Sequence, residues 1–214
     1  HFSWIMSVHD KRTGEDLYPL LRKRFFELDE KFEPLTRRIF HDFGLFPIPG
    51  DTHLCEYLPW MSDPITKPRE KLNIRLYDGE VMAVLRDFTF DRLNEMANGR
   101  MTIEGLLDTD SEGALEMIEN IACAGNHYHL AANLPNAGQI SNLPLNAIVE
   151  TPVIVDGGGI HPVCVGALPE SIAELCRREL MIAQLGVDSA VEGSYEKALQ
   201  CLLLDPVVHD LDLA

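Results

Sequence analysis

Apolar and charged positions alternate with a helical period over residues 13–44. Leu17, Leu20, Leu21, Phe25 and Leu28 recur at three- and four-residue steps, with Arg22, Lys23, Arg24, Glu27 and Asp29 falling largely between them; this is the pattern of a helix with one face on a core. Pro34 suits the first turn of a second helix, whose Leu35, Ile39 and Phe43 form a stripe before Gly44 stops it. Two helices are therefore predicted. The two prolines and the glycine of Phe46-Pro47-Ile48-Pro49-Gly50-Asp51 should break regular structure just before Thr52 and His53. Asp63 to Leu72, with Pro64, Pro68 and many charges, reads as an exposed crossing. Val81 to Asn98 reads as a helix, although the alternation at Phe88-Thr89-Phe90 leaves a strand open. Asp110 and Ser111 can cap a helix with Leu115, Ile118, Ile121 and Ala122 on one face, closed by Gly125 in the left-handed conformation.

The second half begins with a turn-rich run, Asn133-Leu134-Pro135-Asn136-Ala137-Gly138 followed by Asn142-Leu143-Pro144. Ala147 to Val155 is β-branched and strand-like, and Pro152 inside it suggests an edge or a bulge. Asp156-Gly157-Gly158-Gly159 turns the chain, and His161 to Gly166 can return beside it, which predicts a hairpin. Ile172, Leu175, Cys176, Leu180 and Ala183 mark a helix that Gly186 should end. Ala198, Leu199, Leu202 and Leu203 mark another, ending near Pro206. Helices around a small antiparallel sheet make the expected fold α+β. No Gly-x-Gly-x-x-Gly sits between a strand and a helix, so no dinucleotide-binding unit is visible.

Composition narrows the functional classes. Eighteen Lys and Arg against 34 Asp and Glu leave a formal charge of −16, which disfavours a grip on nucleic-acid phosphates built from clustered cations. No run of about 18 uninterrupted apolar residues points to a membrane span, and no segment at the start reads as an export signal. Cys55, Cys123, Cys164, Cys176 and Cys201 are odd in number, widely spaced and free of Cys-x-x-Cys. That usage suits reduced thiols in a cytoplasmic protein.

The densest polar cluster is Gly50-Asp51-Thr52-His53-Leu54-Cys55-Glu56-Tyr57-Leu58-Pro59-Trp60. Its imidazole, carboxylate and phenol, within five positions, can supply a metal ligand, a proton acceptor and a positioned hydroxyl. A polar turn with Tyr57 and Trp60 packed inward is the alternative. His1 can coordinate a divalent metal through a ring nitrogen, or be a frayed terminus. His127 and His129 alternate around Tyr128 as in a strand, with no third ligand near in sequence. Cys55 reads as an inert buried thiol.

Several pieces fall in an order that resembles a known family. They are His1-Phe2-Ser3-Trp4-Ile5, Arg12-Thr13-Gly14-Glu15-Asp16-Leu17-Tyr18-Pro19, the Gly50–Trp60 cluster, Asn133 to Pro144, Val149-Glu150-Thr151-Pro152, and Ala198-Leu199-Gln200 with Asp205-Pro206. As a set they resemble the C-terminal portion of the family 4 glycoside hydrolases, which use NAD and a divalent metal, usually manganese. The resemblance covers nearly all of the chain. His-x-x-Glu-Tyr-x-Pro-Trp at His53 to Trp60 looks like the branch acting on α-galactosides and α-galacturonides; the Arg12–Pro19 element and the Gly44–Asp51 lead-in look closer to the α-galacturonidases.

The resemblance implies a fold like the C-terminal domain of lactate and malate dehydrogenase-like enzymes, and an unusual chemistry. NAD oxidises the sugar at C3, which acidifies the C2 proton; a base removes it, the glycosidic bond leaves by elimination, water adds, and the stored hydride returns. By the same resemblance, His1 is a metal ligand whose cysteine partner lies upstream, and Tyr57 is the C2 base, with Glu56 and His53 as second choices. The chain shows no nucleotide-binding half, no Asn before His1 and no visible general acid. It is therefore expected to be the C-terminal substrate and metal side of an enzyme whose NAD-binding domain lies outside residues 1–214, binding neither NAD nor Mn2+ tightly alone. The expected substrate is an α-galacturonide or, because a −16 chain repels a uronate at long range, a neutral α-galactoside. A different reading is a non-catalytic module whose hydrophobic helices and hairpin pair subunits, and a homo-oligomer is expected in either case.

Overall fold

The two predicted N-terminal helices form where their apolar stripes and their prolines place them. The computed structural model describes residues 2–76, 78–107 and 112–211, so the cap expected from Asp110 and Ser111 lies outside the described residues. Two units make up the chain: His1–Leu76 with Ala132–Thr151 and Val163–Ala214, and Tyr77–Ala131 with Pro152–Pro162.

In the first unit, strand β1 (Trp4–Ile5) pairs antiparallel with β2 (Phe46–Pro47), Trp4 opposite Pro47 and Ile5 opposite Phe46. Between them in sequence run helices α1 (Tyr18–Glu27) and α2 (Pro34–Phe43). Gly44 stops α2 in the left-handed region at φ 85°, a conformation that costs glycine least. The Tyr18 hydroxyl ties the strand pair together, donating to the Ile5 carbonyl and accepting from the Phe46 N–H, each at 2.8 Å. Arg37 closes α1 from outside by donating to the carbonyls of Leu28 (2.9 Å) and Asp29 (3.2 Å), which have no partner within that helix. The predicted break before Thr52 is instead strand β2 followed by helix α3 (Gly50–Leu54). Gly50 makes the entry possible: its φ is 69°, and a Cβ there would lie 3.4 Å from the Glu33 carboxylate. Residues 63–72 are largely exposed, as expected, with the short helix α4 (Pro68–Lys71) among them.

Two apolar clusters form the core of this unit. Leu35, Ile39, Leu54, Cys55, Leu58 and Met61 make one; Ile140, Leu143, Val149, Leu168, Ile172, Ala173 and Cys176 make the other, and Phe2, Trp4 and Phe43 pack against both. The turn-rich run is held by Asn136, buried at 1% exposure. Its amide donates to the carbonyls of Ile140, Leu143 and Pro144 at 3.0–3.1 Å, and its oxygen accepts from the N–H groups of Gly138 and Ile140.

The second unit contains helices α5 (Gly79–Ala97), α6 (Glu104–Leu107) and α7 (Ala114–Ala122). Asp78 caps α5 by accepting from the N–H groups of Glu80 and Val81, and Phe88-Thr89-Phe90 lies within the helix rather than in a strand. The left-handed residue after α7 is Ala124 (φ 52°), not Gly125. Gly125 is needed for a different reason: a Cβ there would come within 2.1 Å of the Asn120 side-chain oxygen.

Strands β3 (Asn126–Pro135), β4 (Ile148–Asp156) and β5 (Gly159–Pro162) lie in the order β3-β4-β5, with β4 and β5 antiparallel. β4 is central, which corrects the edge position that Pro152 suggested. Its pairing with β5 begins only at Val153, so the N–H that Pro152 lacks is not needed there. The return strand is shorter and earlier than the predicted His161 to Gly166. In the first unit, α8 (Glu170–Glu192) runs straight through Gly186 and stops at Gly193 (φ 66°). Gly186 therefore does not terminate the helix, and a Cβ there would make only an ordinary contact, 3.8 Å, with the Cys201 sulfur of helix α9 (Tyr195–Leu204). The fold is α+β as expected, and among the described residues no helix is long and apolar enough to cross a membrane.

Candidate functional site

The cluster Gly50–Trp60 folds as α3, a 3-10 turn over Cys55–Tyr57 and a second over Pro59–Met61. Helical spacing sorts its side chains into two sets. Leu54, Cys55, Leu58 and Met61 point into the core, each at most 3% exposed. His53, Glu56, Tyr57 and Trp60 share the same spacing one step round and form the partly open face, Trp60 being 47% exposed and Tyr57 and Glu56 partly buried.

The carboxylates of this stretch divide the same way. Asp51 is buried and structural: its oxygens accept from the N–H groups of Leu35 (2.9 Å) and Thr36 (2.7 Å) at the start of α2, and its own N–H donates to Glu33 (2.5 Å). Burial pushes the Glu33 carboxyl up, the Asp51 charge adding to it. Glu56 instead faces His53, with its carboxylate 3.4 Å from Nδ1.

Tyr57 is held from three sides. The Phe2 ring stacks on it at 4.8 Å between centroids, Leu58 behind it is fully buried, and Arg178 of α8 donates to its backbone carbonyl at 2.5 Å. Burial raises the Tyr57 phenol above its ordinary value, and the charges of Glu56 and Glu179 push the same way. Nearby, Trp60 stacks on Phe43 at 6.4 Å and Trp4 meets Phe2 edge-on at 5.4 Å, so the open face is bordered by aromatic rings.

The other sequence candidates fall elsewhere. His1, the expected metal ligand, lies outside the described residues, although its neighbour Phe2 rests on Tyr57. His127 and His129 lie on β3 in the second unit. Among the described residues no group of three or more His, Cys, Asp and Glu side chains is placed to hold a metal. The Cys55 thiol is buried, donates to the Thr52 carbonyl at 3.1 Å and is pushed up to about 11 by desolvation first, an inert group as expected. A separate open cleft of about 470 Å³ is lined by Met6, His9, Asp16, Tyr18 and Arg22 among others. Its polar groups are engaged: Tyr18 ties the strands, and Arg22 caps α2 through the Gly44 carbonyl (2.6 Å) while lying over the Phe40 ring.

Sequence reasoning missed Arg178, which reaches Tyr57 from 121 positions away, and Glu179 beside it, whose charge acts on the phenol. The division of the 50–61 stretch into two helical faces was there to be read.

Residues 1–208 match the family described as Family 4 glycosyl hydrolase C-terminal domain. The chain belongs to that family. Among curated relatives, this family 4 domain is 28% identical to the phospho-alpha-glucosidase PagL of Clostridium acetobutylicum, over 100% of the chain and 51% of the relative. It is 26% identical to an alpha-galactosidase of Bacillus subtilis (96% and 47%) and 26% identical to an alpha-galacturonidase of Lachnoclostridium phytofermentans (99% and 48%). The domain thus spans about half the length of the relatives it matches. Among solved structures it resembles lplD of Bacillus subtilis, described as a glucosidase, with a TM-score of 0.83 at 24% identity over 99% of this chain and 51% of the other. It also resembles a 6-phospho-beta glucosidase of Thermotoga maritima crystallised with manganese, NAD+ and glucose-6-phosphate, with a TM-score of 0.72 at 23% identity over 99% and 48%. These likenesses confirm the fold. The curated relatives are named for three different sugar substrates.

Proposed function

We propose that the family 4 domain is the substrate side of a glycosidase that cleaves α-galacturonides, with an NAD-binding domain lying outside residues 1–214. The observation that carries this reading is the open face of His53, Glu56, Tyr57 and Trp60, presented on a rigid apolar back and bordered by rings, in a chain of this family. Relatives named alpha-galacturonidase support the substrate. The presence of NAD and Mn2+ in solved relatives supports the cofactors.

In this reading Tyr57 takes the C2 proton of the sugar. The phenol works as a base only when ionised, and its surroundings in this chain hold the proton on. His53 and Glu56, paired at 3.4 Å, are second candidates for the same step. The Trp60 ring offers an apolar surface for a sugar face. When bound, NAD would store the C3 hydride and a divalent metal would act as a Lewis acid on the sugar oxygens. The described residues do not themselves build a metal site, and His1 is the ligand that the family resemblance assigns.

A neutral α-galactoside is the second reading, and one observation favours it. The cation in contact with the site, Arg178, is already engaged by the Tyr57 carbonyl and by Glu179 (3.3 Å), leaving Glu56 and Glu179 as the charges around Tyr57. The test is turnover of the 4-nitrophenyl α-galacturonide, α-galactoside and 6-phospho-α-glucoside by the full-length protein. Cleavage of the galacturonide is expected; activity confined to either of the other two overturns that assignment. We further read the protein as a cytoplasmic homo-oligomer. Apolar side chains of α5 that this chain leaves uncovered, such as Val84 (69% exposed) and Phe88, support the association.

A further inference from the structure

The side chain that fixes Tyr57 belongs to a different segment from the catalytic stretch. Arg178 lies in the first half of α8, on the turn that follows Leu175, and Leu175 packs against the cluster of Leu54, Cys55 and Leu58. From there its Nη2 reaches the Tyr57 carbonyl at 2.5 Å and the Glu179 carboxylate at 3.3 Å. Its Nε is buried with no hydrogen-bond partner among the described residues. Both contacts leave from the same nitrogen of a planar, mostly buried guanidinium, so the Glu179 carboxylate helps hold that nitrogen against the Tyr57 carbonyl. The gripped carbonyl belongs to the last residue of the 3-10 turn, and the next residue, Leu58, is extended (φ −111°, ψ 115°). At that junction the backbone leaves helical geometry, and a small rotation there would swing the Tyr57 ring away from Phe2.

We propose that Arg178 is a positioning residue for Tyr57: by clamping the Tyr57 carbonyl from α8 it fixes the direction of the phenol that meets the sugar. The pair with Glu179 holds the guanidinium itself in register. This rests on the reading of Tyr57 as the base, and it adds that the placement of that base depends on a helix distant in sequence. A displacement of about 1 Å at a reacting group can cost on the order of a hundredfold in rate, so a broken clamp should act on kcat rather than on substrate binding.

Two measurements test it. In 19F NMR of the chain labelled with 3-fluorotyrosine and assigned with Tyr57→Phe and Tyr18→Phe, Arg178→Met should move or broaden the Tyr57 resonance and leave that of Tyr18 in place. An unmoved Tyr57 resonance overturns the proposal. In the full-length protein, turning over whichever 4-nitrophenyl glycoside it cleaves, Arg178→Met should lower kcat by about ten- to a hundredfold with KM within about threefold. Arg178→Lys, which keeps a cationic donor, should recover most of the loss. The double variant Tyr57→Phe/Arg178→Met should be no slower than Tyr57→Phe alone, because the clamp acts only through the phenol; losses that multiply overturn it. Full activity in Tyr57→Phe would instead sink the base assignment, and the NMR comparison would still decide the clamp. If Arg178→Met does not fold, Arg178→Gln carries the same comparisons.

Discussion

Replacing Asp51 by Ala should unfasten the stretch of residues 50–61 from the helix it rests on. The first N–H groups of α2 have no partner inside the helix, and two of them, on Leu35 and Thr36, are satisfied by the two oxygens of Asp51. Glu33, just before that helix, returns the favour by accepting the Asp51 N–H. The result is a reciprocal cap like the capping box, but made by residues 15 to 18 positions apart. A helix cap is commonly worth about 1 kcal/mol and reaches about 2. Hydrogen bonds to a charged group run about 1.5–3 kcal/mol each. Burial decides between these figures: Leu35 and Thr36 are at most 3% exposed, so water cannot replace the lost acceptor. Asp51→Ala should therefore cost about 3–4 kcal/mol, a fall in Tm of roughly 6–16 °C for a chain of this size. Asp51→Asn keeps one acceptor and turns an amide N–H2 toward the other donor, and should cost about half as much. Urea denaturation gives the totals, and hydrogen exchange at the Leu35 and Thr36 amides gives a local reading that does not depend on two-state unfolding. A loss under about 1 kcal/mol for Asp51→Ala, with protection at those two amides unchanged, refutes the reasoning.

Alkaline pH should loosen the fold. Desolvation holds the thiols of Cys55 and Cys176 at about 11, so the folded state keeps protons that the unfolded chain releases near 9. Their contribution is fully present below pH 9 and lost as pH rises through 11, on the order of 2–3 kcal/mol each; urea midpoints at pH 8 and 10.5 should differ accordingly, and equal midpoints would contradict the burial argument. Asn136→Ala leaves the buried Leu143 carbonyl without its amide donor and the N–H groups of Gly138 and Ile140 without their acceptor, and calorimetry should show a destabilisation of about 3 kcal/mol or more. With Tyr57 as base and its phenol held above the ordinary value, log kcat/KM of the full-length protein should climb with pH through neutrality, and Tyr57→Phe should abolish the climb. On the α5 face, Val84→Glu with Phe88→Glu should lower the mass measured by light scattering without lowering Tm, since neither side chain is buried in this chain; an unchanged mass would move the subunit contact elsewhere.

The elements that could be read from sequence are those whose signals are local. The 3.6-residue stripes of α1 and α2, closed by Pro34 and by Gly44 in the left-handed region, needed no knowledge of distant residues. The misreadings share a cause in long-range contact. Gly186 looked like a helix stop, yet α8 continues through it and packs on α9, where the chain ahead of the glycine, not the glycine, decides that the helix goes on. Pro152 looked like an edge residue because the register of β5 is not written in β4. That Asp51, at the head of the polar cluster, is a structural group was not readable locally, because the two N–H groups it satisfies stand on α2. Within the candidate site the grouping of His53, Glu56 and Tyr57 on one stretch was legible, and the residues that hold Tyr57 were not.

That division follows from how the site is built. One helical face of residues 50–61 must be apolar to anchor the stretch, which leaves the other face for chemistry but gives it few neighbours of its own. A side chain such as Tyr57, on a 3-10 turn three residues long, is not fixed by that turn, since so short an element has too few internal hydrogen bonds to resist rotation at its end. Its precision must be imported. Phe2 supplies a stacking surface, Arg178 a clamp on the carbonyl, and Asp51 ties the beginning of the stretch to α2. Each comes from, or reaches to, a segment distant in sequence, so the parts of the fold least visible in a local pattern are the ones on which the accuracy of the site depends.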